Sequence, residues 1–524
     1  MAIDTRSLLN QIIEFRQKLE AMPKLQAGSL SKSTKPGTGN TFNPEQNHPS
    51  FPRIAQVSPP SSPISELEES LKKSESEQEK IQLVLRHFEN PENQLPTAKT
   101  PTFSTHQSRD LLQQTHTWVK KLRAIQNHPW IHYPQSAPLG TDHISPILKL
   151  QQDNLHWVQI ATIVLSTLPA SPSEQVQRCL HVESVLKTVE RNHERVENAL
   201  QILSKESDQV SQLTNLIALL MQEQKFELAS WQNLCETIIQ EQSNDSPFRW
   251  LQLPFLAEVP SGNVSESVPV LGRVIAAHSI MVARVVARLF YRKQIGKSSF
   301  LDAILASLLH DVGMLEVAPE NWYHPNNKLR IEQKRAIENH VPLGLEKLAK
   351  AFNHPEILSA IADHHERMDG TGYPSGKLED QIPPLARLLG IVDSFVSMVS
   401  ARPYRPPIDP RTALTDTLMI GEQGILDKQL TPTLVDLTFY PIGSVVELLN
   451  GSIGIVIASH YGKSHFRSAI RPVIQLLTDE NKNRVAVTTI VDLAEIERDL
   501  IIRTIGSPER NNYLYPDHLH YLYY

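Results

Sequence analysis

The run His364-His365-Glu366-Arg367-Met368-Asp369-Gly370-Thr371-Gly372-Tyr373-Pro374 decides how this chain is read. Ile357, Leu358 and Ile361 lead into it at helical spacing, so two adjacent imidazoles fall at the end of an apolar helix. Beyond them Gly370 and Gly372 let the chain turn tightly, and Tyr373-Pro374 stiffens the exit. A plain turn needs no histidines here.

Working outward, other groups able to bind metal recur at helix-compatible positions. His278 shares an apolar face with Leu271, Val274, Met281, Val285 and Leu289. The pair His310-Asp311 follows Ile304, Leu305, Leu308 and Leu309 at a predicted helix C-terminus, just before Gly313. Ile337 and His340 share a third face, and Leu385, Leu389 and Val392 lead to Asp393. Five imidazoles and two carboxylates buried in one helical core would be costly without a partner. A divalent metal is the simplest partner. Seven nitrogen and oxygen ligands without a thiolate point to two ions of iron, manganese or similar character.

The order His, His-Asp, His, His-His-Glu-Arg-x-Asp-Gly-x-Gly-Tyr-Pro, Asp and Arg-Pro-Tyr-Arg resembles the HD-GYP phosphodiesterases, the HD-type phosphohydrolases that hydrolyse cyclic di-GMP. The resemblance covers about residues 265–440. It implies an all-helical domain in which His278, His310, Asp311 and Asp393 hold one metal and His340, His364 and His365 the other, with Asp311 bridging. It also implies a two-metal-activated hydroxide that attacks phosphorus in bacterial second-messenger signalling, with His310 and Asp311 central to catalysis. Arg402 and Arg405 are candidate phosphate contacts, because a guanidinium fork matches phosphate. Gly370, Gly372 and Tyr373 border the implied substrate groove, on a loop that also offers a face to partners such as diguanylate cyclases. Glu366, Arg367 and Asp369 either brace that loop or touch substrate.

Three positions depart from the family. Met314 stands where a phosphate-contacting lysine is usual, Val274 where members with a third metal have glutamate, and Val396 where some have aspartate. Two metals are therefore expected rather than three. All seven ligands are retained, which favours a working enzyme. Met314 keeps open a degenerate nucleotide-sensing or protein-interaction module, and hydrolysis of another nucleotide is a further alternative.

The rest of the chain reads as support or input. With 524 residues it is long enough for several domains, and 51 basic against 57 acidic residues gives no broad nucleic-acid surface. Cys179 and Cys235 form no disulfide framework and sit on apolar faces. The apolar region 268–291 is interrupted by Arg273, Arg284 and Arg288, so a cytoplasmic protein with no membrane span is expected.

The fold class expected is mainly α. An amphipathic helix occupies 1–22, a Pro/Ser/Gly-rich tether 23–64, and a helical bundle 65–243 whose seam suits regulation or a homodimer. The bundle's helices are placed at about 65–89, 108–126, 146–167 and 173–204, with a further segment from Val210 to Leu220. The scattered histidines His116, His156, His181 and His193 read as ordinary helix residues. A small barrel-like β domain is expected over 441–505, including a hairpin around Asn450-Gly451, strands at 473–477 and 484–488 and a helix at 493–504. A tail follows at 506–524.

Overall fold

The computed structural model describes residues 105–128, 145–166, 169, 171–222, 227–242, 248, 270–293, 297–318, 321, 329–400, 408–437, 440–460, 471–485, 488–496, 500–506, 509–514 and 518. The expected helices at 1–22 and 65–89, the tether between them, and Arg402 and Arg405 lie outside the described residues. The architecture is mainly helical, with a small antiparallel sheet near the C-terminus.

Helices α1 (Thr105–Gln126) and α2 (Ser145–Ser166) precede α3 (Pro172–Met221), which runs unbroken for 50 residues. Ser171 starts α3 by accepting a hydrogen bond from the Glu174 amide, and Pro172 follows with its φ already suited to a helix. The polar stretch Lys205–Gln209, read from sequence as a break, stays helical. No glycine or internal proline interrupts it, and its polar side chains find partners on later helices.

At a rise of 1.5 Å per residue α3 is about 75 Å long, far longer than α1 or α2. Its early apolar residues, Cys179, Val182, Leu186 and Val189, share a core with Leu111, Leu122 and Val158. From Val196 to Leu220 it shares a second, larger core with Ile147 and Leu150 of α2, with α4 (Leu228–Glu241) and with the helices that follow. The expected boundary near residue 243 therefore does not separate two cores.

That larger core is built by α5 (Val270–Lys293), α6 (Lys297–Leu309), α7 (Ile331–Glu338), α8 (His340–Ala351), α9 (Pro355–Asp363), α10 (Pro384–Val399) and α11 (Pro410–Glu422). Short 3-10 turns at Val312–Glu316 and Thr431–Leu437 link these elements. No helix among the described residues is long and apolar enough to cross a membrane.

Five strands follow: β1 (Val445–Leu448), β2 (Ile453–Ala458), β3 (Val473–Thr478), β4 (Ile490–Asp492) and β5 (Ile501–Ile505). Their order is β4-β3-β2-β1-β5, all antiparallel. The hairpin across Asn450-Gly451 forms with Val445 opposite Ile455. The expected barrel is instead an open sheet, because β4 and β5 are its two edges and do not pair among the described residues.

The helix expected at 493–504 is overturned, since Ile501–Ile505 pairs with β1 as a strand. The strand is rich in β-branched residues, buries Ile501 and Ile505, and satisfies the otherwise open edge of β1. In place of a strand at 484–488, Arg484 makes an isolated bridge to Thr478 and the strand itself is β4. Val446, Leu448 and Val456 on one face join the large helical core, while Val445, Ile453 and Ile455 face a smaller cluster with Tyr513 and Leu514. Part of the expected tail thus covers the sheet.

Candidate metal centre

The seven side chains come from five places in the helical core. His278 lies midway along α5, His310-Asp311 just past α6, His340 at the first position of α8, His364-His365 just past α9 and Asp393 within α10. Helix ends deliver four of them, because a helix that stops in the core turns its last side chains into the space beyond it. The third face is not one helix as expected. It is broken at Asn339, so Ile337 ends one helix and His340 begins the next.

The approach of α8 depends on two glycines. A Cβ on Gly313 would lie 1.9 Å from the His340 carbonyl oxygen and 2.6 Å from the Gly344 amide nitrogen. Neither backbone atom can move aside without moving α8. This contact brings Asp311 Oδ1 to 3.3 Å from His340 Nε2.

The seven groups converge as two clusters, Asp311 with His340, His364 and His365, and His278 with His310 and Asp393. Within each cluster the donor atoms lie within 4.8 Å of one another. Asp311 stands between them. Its Oδ1 is 3.3 Å from His340 Nε2 and 3.9 Å from His364 Nε2, and its Oδ2 is 3.4 Å from His310 Nε2 and 3.6 Å from His278 Nε2. Asp393 Oδ1 lies 2.9 Å from His278 Nε2 and accepts from the Ser397 hydroxyl at 3.2 Å.

Backbone carbonyls orient three of the rings. Nδ1 of His310, His340 and His364 sits 2.8, 2.6 and 2.7 Å from the carbonyl oxygens of Ser307, Ile337 and Ile361. Each Nδ1 must therefore donate, which leaves the Nε2 lone pair directed into the cluster. All three Nε2 atoms are buried without a hydrogen-bond partner. Buried polar atoms are rarely left this way, and three converging beside two carboxylates fit a divalent-metal site.

The electrostatics favour the same donor state. Burial raises the Asp311 carboxyl, but His310, His340 and His278 outweigh it and hold it well below the usual carboxylate range. For Asp393 the same opposition ends the same way, with His278, His365 and His310 keeping it ionised. Burial, aided by the charges of His310 and His340, pushes His364 down to about 3, and burial with His364 beside it lowers His365. His340 rises, because the Asp311 carboxylate more than offsets burial. Ionised Asp311 and Asp393 beside the lowered His364 and His365 suit metal ligation, while His340 is held toward its protonated form by Asp311 until an ion replaces the proton.

The glycine-rich loop closes one side. Gly370 has φ +77°, and a Cβ on Gly372 would fall 2.4 Å from the Arg367 amide nitrogen. The Tyr373 ring stacks on His365, with centroids 4.6 Å apart. Of the two roles open to Glu366, Arg367 and Asp369, bracing is the one their contacts show. Glu366 accepts from the Ser375 and Lys377 amides, Arg367 donates to the His364 and Glu366 carbonyls, and Asp369 accepts from Thr371. Lys377, which sequence reasoning passed over, holds the buried Asp363 carboxylate at 2.6 and 2.8 Å, one residue before His364. Its partner is 14 positions away, and no local pattern joins the two.

Met314 and Val274 meet in one apolar cluster with Ile275, Val317, Ile337 and Leu343. Val396 is fully buried in the main core. None of these positions adds a ligand or a cation. Cys179 and Cys235 are buried, and burial pushes the Cys235 thiol up to about 12. Both behave as small apolar residues, as their sequence positions suggested.

Residues 265–430 match the family model of the HD domain. This segment is an HD domain. The chain is 28% identical over 221 residues to cyclic di-GMP phosphodiesterase PA4108 of Pseudomonas aeruginosa, covering 41% of this chain and 51% of that protein. It is 34% identical over 103 residues to the cyclic di-GMP phosphodiesterase response regulator RpfG of Xanthomonas campestris, covering 19% and 27%. It is also 30% identical over 131 residues to 3'3'-cGAMP-specific phosphodiesterase 1 of Vibrio cholerae, covering 25% and 30%. The chain thus spans about half the length, or less, of these relatives. A solved structure, Bd1817, a HDG"Y"P protein from Bdellovibrio bacteriovorus, aligns at 20% identity and a TM-score of 0.32, over 48% of this chain and 78% of its own.

Proposed function

We propose that the chain is a metal-dependent phosphodiesterase that hydrolyses cyclic di-GMP. The observation that carries this reading is the convergence of three partnerless buried Nε2 atoms on Asp311 and Asp393. His278, His310 and Asp393 would hold one ion and His340, His364 and His365 the other, with Asp311 offering one oxygen to each. When bound, two divalent ions would supply Lewis acidity, bringing the pKa of water near neutrality and offsetting phosphoryl charge.

The protein's own part is positioning. Carbonyl bonds hold the His310, His340 and His364 rings in the ligating tautomer. The braced loop, with Tyr373 stacked on His365, walls one side of the site and excludes water from it. Cyclic di-GMP is preferred as substrate because two of the relatives described above are named for it, and 3'3'-cGAMP is the nearest competitor because a third is named for that nucleotide. Arg402 and Arg405 remain candidates for the phosphates. A protein of the cytoplasm, able to pair through its helices or to meet a diguanylate cyclase through the loop, is the setting that suits this activity.

A second reading, a nucleotide-sensing module without turnover, is favoured by one feature. Met314 packs in an apolar cluster and offers no charge to a phosphate.

The test is hydrolysis of cyclic di-GMP and of 3'3'-cGAMP by anaerobically purified protein loaded with Mn(II) or Fe(II), beside a His310→Ala, Asp311→Ala variant. Turnover to linear dinucleotide or GMP is expected. Groups that merely orient metal ligands are each worth about 10- to 100-fold, so loss of two ligands should cost more than about a hundredfold. Binding of nucleotide without turnover, with two metals bound, would establish the sensor instead.

A further inference from the structure

The helix that carries His278 has a second face. While His278 points to the metal centre, Arg273, Arg284 and Arg288 of α5 reach the other way, toward α3 and α4. Arg273 donates to the Ser211 hydroxyl at 3.1 Å, and Arg288 to the Gln242 carbonyl at 3.3 Å. Arg284 is buried, and its guanidinium bridges the two N-terminal helices. It donates to Glu206 Oε1 at 3.0 Å and Gln209 Oε1 at 3.0 Å on α3, and lies 3.6 Å from Glu241 Oε2 on α4. Lys205 completes the group at 2.8 Å from Glu241.

This joint is a poor choice if holding helices together were its only task. An apolar contact of the same volume would hold them as well, whereas a planar fork with fixed acceptors permits one register of α5 against α3. Two of those acceptors, Glu206 and Gln209, come from the polar stretch Lys205–Gln209, about two-thirds of the way along α3. Up to Val189 α3 lies in the core it shares with α1 and α2, and from Val196 onward, on both sides of this stretch, it lies in the larger core that includes the HD helices. The same helix also packs against α8, whose first residue is His340. A single rod from the N-terminal helices therefore touches the helices that supply one ligand to each half of the metal centre.

We propose that Arg284 is a positioning residue for the metal centre, and that α3 is the rod through which the N-terminal helices set the place of His278 relative to the other ligands. The proposal rests on the metal-centre reading above. Six residues, about 9 Å along the helix, separate Arg284 from His278, so a change of register at the joint is carried to the ligand by a stiff element.

The test uses the full chain titrated with Mn(II), followed by electron paramagnetic resonance and circular dichroism. In the unaltered protein two ions and an exchange-coupled signal are expected. Arg284→Lys keeps the charge and loses the fork. It should remain helical, bind one of the two ions about tenfold more weakly, and show an isolated-ion signal in place of part of the coupled one. Glu206→Gln, which keeps an acceptor oxygen, should leave the coupled signal intact. If Arg284→Lys does not fold, Gln209→Met removes one acceptor and leaves every charge in place, with the same expected result. Unchanged affinities and an undiminished coupled signal in a folded variant overturn the coupling, whatever the melting temperature. An unaltered protein that binds no Mn(II) overturns the metal centre itself, and the coupling falls with it.

Discussion

His193 in the N-terminal helices and His364 in the metal centre are both buried, and burial lowers the pKa of each. Their neighbours differ. His193 packs edge-on against Trp118 at 5.1 Å and faces Glu197 at 3.4 Å, with no second imidazole beside it among the described residues. His364 has the rings of His365, His310 and His340 at 4.0, 5.1 and 5.6 Å and a carboxylate at 3.9 Å. A buried histidine is thus no sign of a site by itself. Convergence of several, each with one nitrogen tied to a carbonyl and the other left over, is the sign.

Removing metal should separate the two regions most widely. Chelation of metal-loaded protein is expected to lower the melting transition of the HD core by several degrees. A ligand present at a hundred times its dissociation constant contributes about 2.7 kcal/mol, and a calorimetric scan with and without chelator reads the loss. An unchanged transition would place the His364 cluster in the same class as His193.

Gly313→Ala tests how the cluster is assembled. The new methyl would meet backbone of α8 rather than a side chain that can swing away. A loss of about 1–3 kcal/mol is expected, together with weaker Mn(II) binding, because Asp311 and His340 would be forced apart. Stability lost in denaturant melts with metal affinity retained would show that the crossing matters only to packing.

The smallest effect is expected at His193. Its pKa is lowered by burial, so the folded chain resists the proton that the unfolded chain accepts. Its stabilising contribution is complete above the unfolded value near 6.5 and is lost as pH falls through the lowered folded value. His193→Phe should flatten that part of the stability profile between about pH 7 and 5, change stability by about 1 kcal/mol at neutral pH, and leave metal stoichiometry alone. A change in stoichiometry would erase the distinction between the two histidines.

Much of the HD core was legible because most of the candidate ligands sit at the ends of strongly apolar helices, where a histidine has no packing reason to recur. The hairpin at Asn450-Gly451 was legible through turn chemistry. The errors have a common cause. Lys205–Gln209 looked like a break because its polar residues have no local explanation, and Leu493–Thr504 looked helical because Leu493, Ile496 and Leu500 recur at helical spacing. In each case a partner far along the chain decided: Arg284 and Glu241 for the first, the edge of β1 for the second. Lys377 was missed for the same reason.

Residue type and spacing along single helices were enough to nominate the seven donors and the loop that follows His365, because those signals are local and periodic. The family resemblance already implied two groups of donors with Asp311 between them, whereas the distances at which they meet, the break between Ile337 and His340, and the passage of α3 from one core into the next were decided only by tertiary structure. These depend on the backbone contact at Gly313 and on ion pairs between residues 43 to 78 positions apart in the chain, such as Arg284 with Glu241 and with Glu206. Contacts at that range leave no period in the sequence, since nothing in either local segment fixes the other's position.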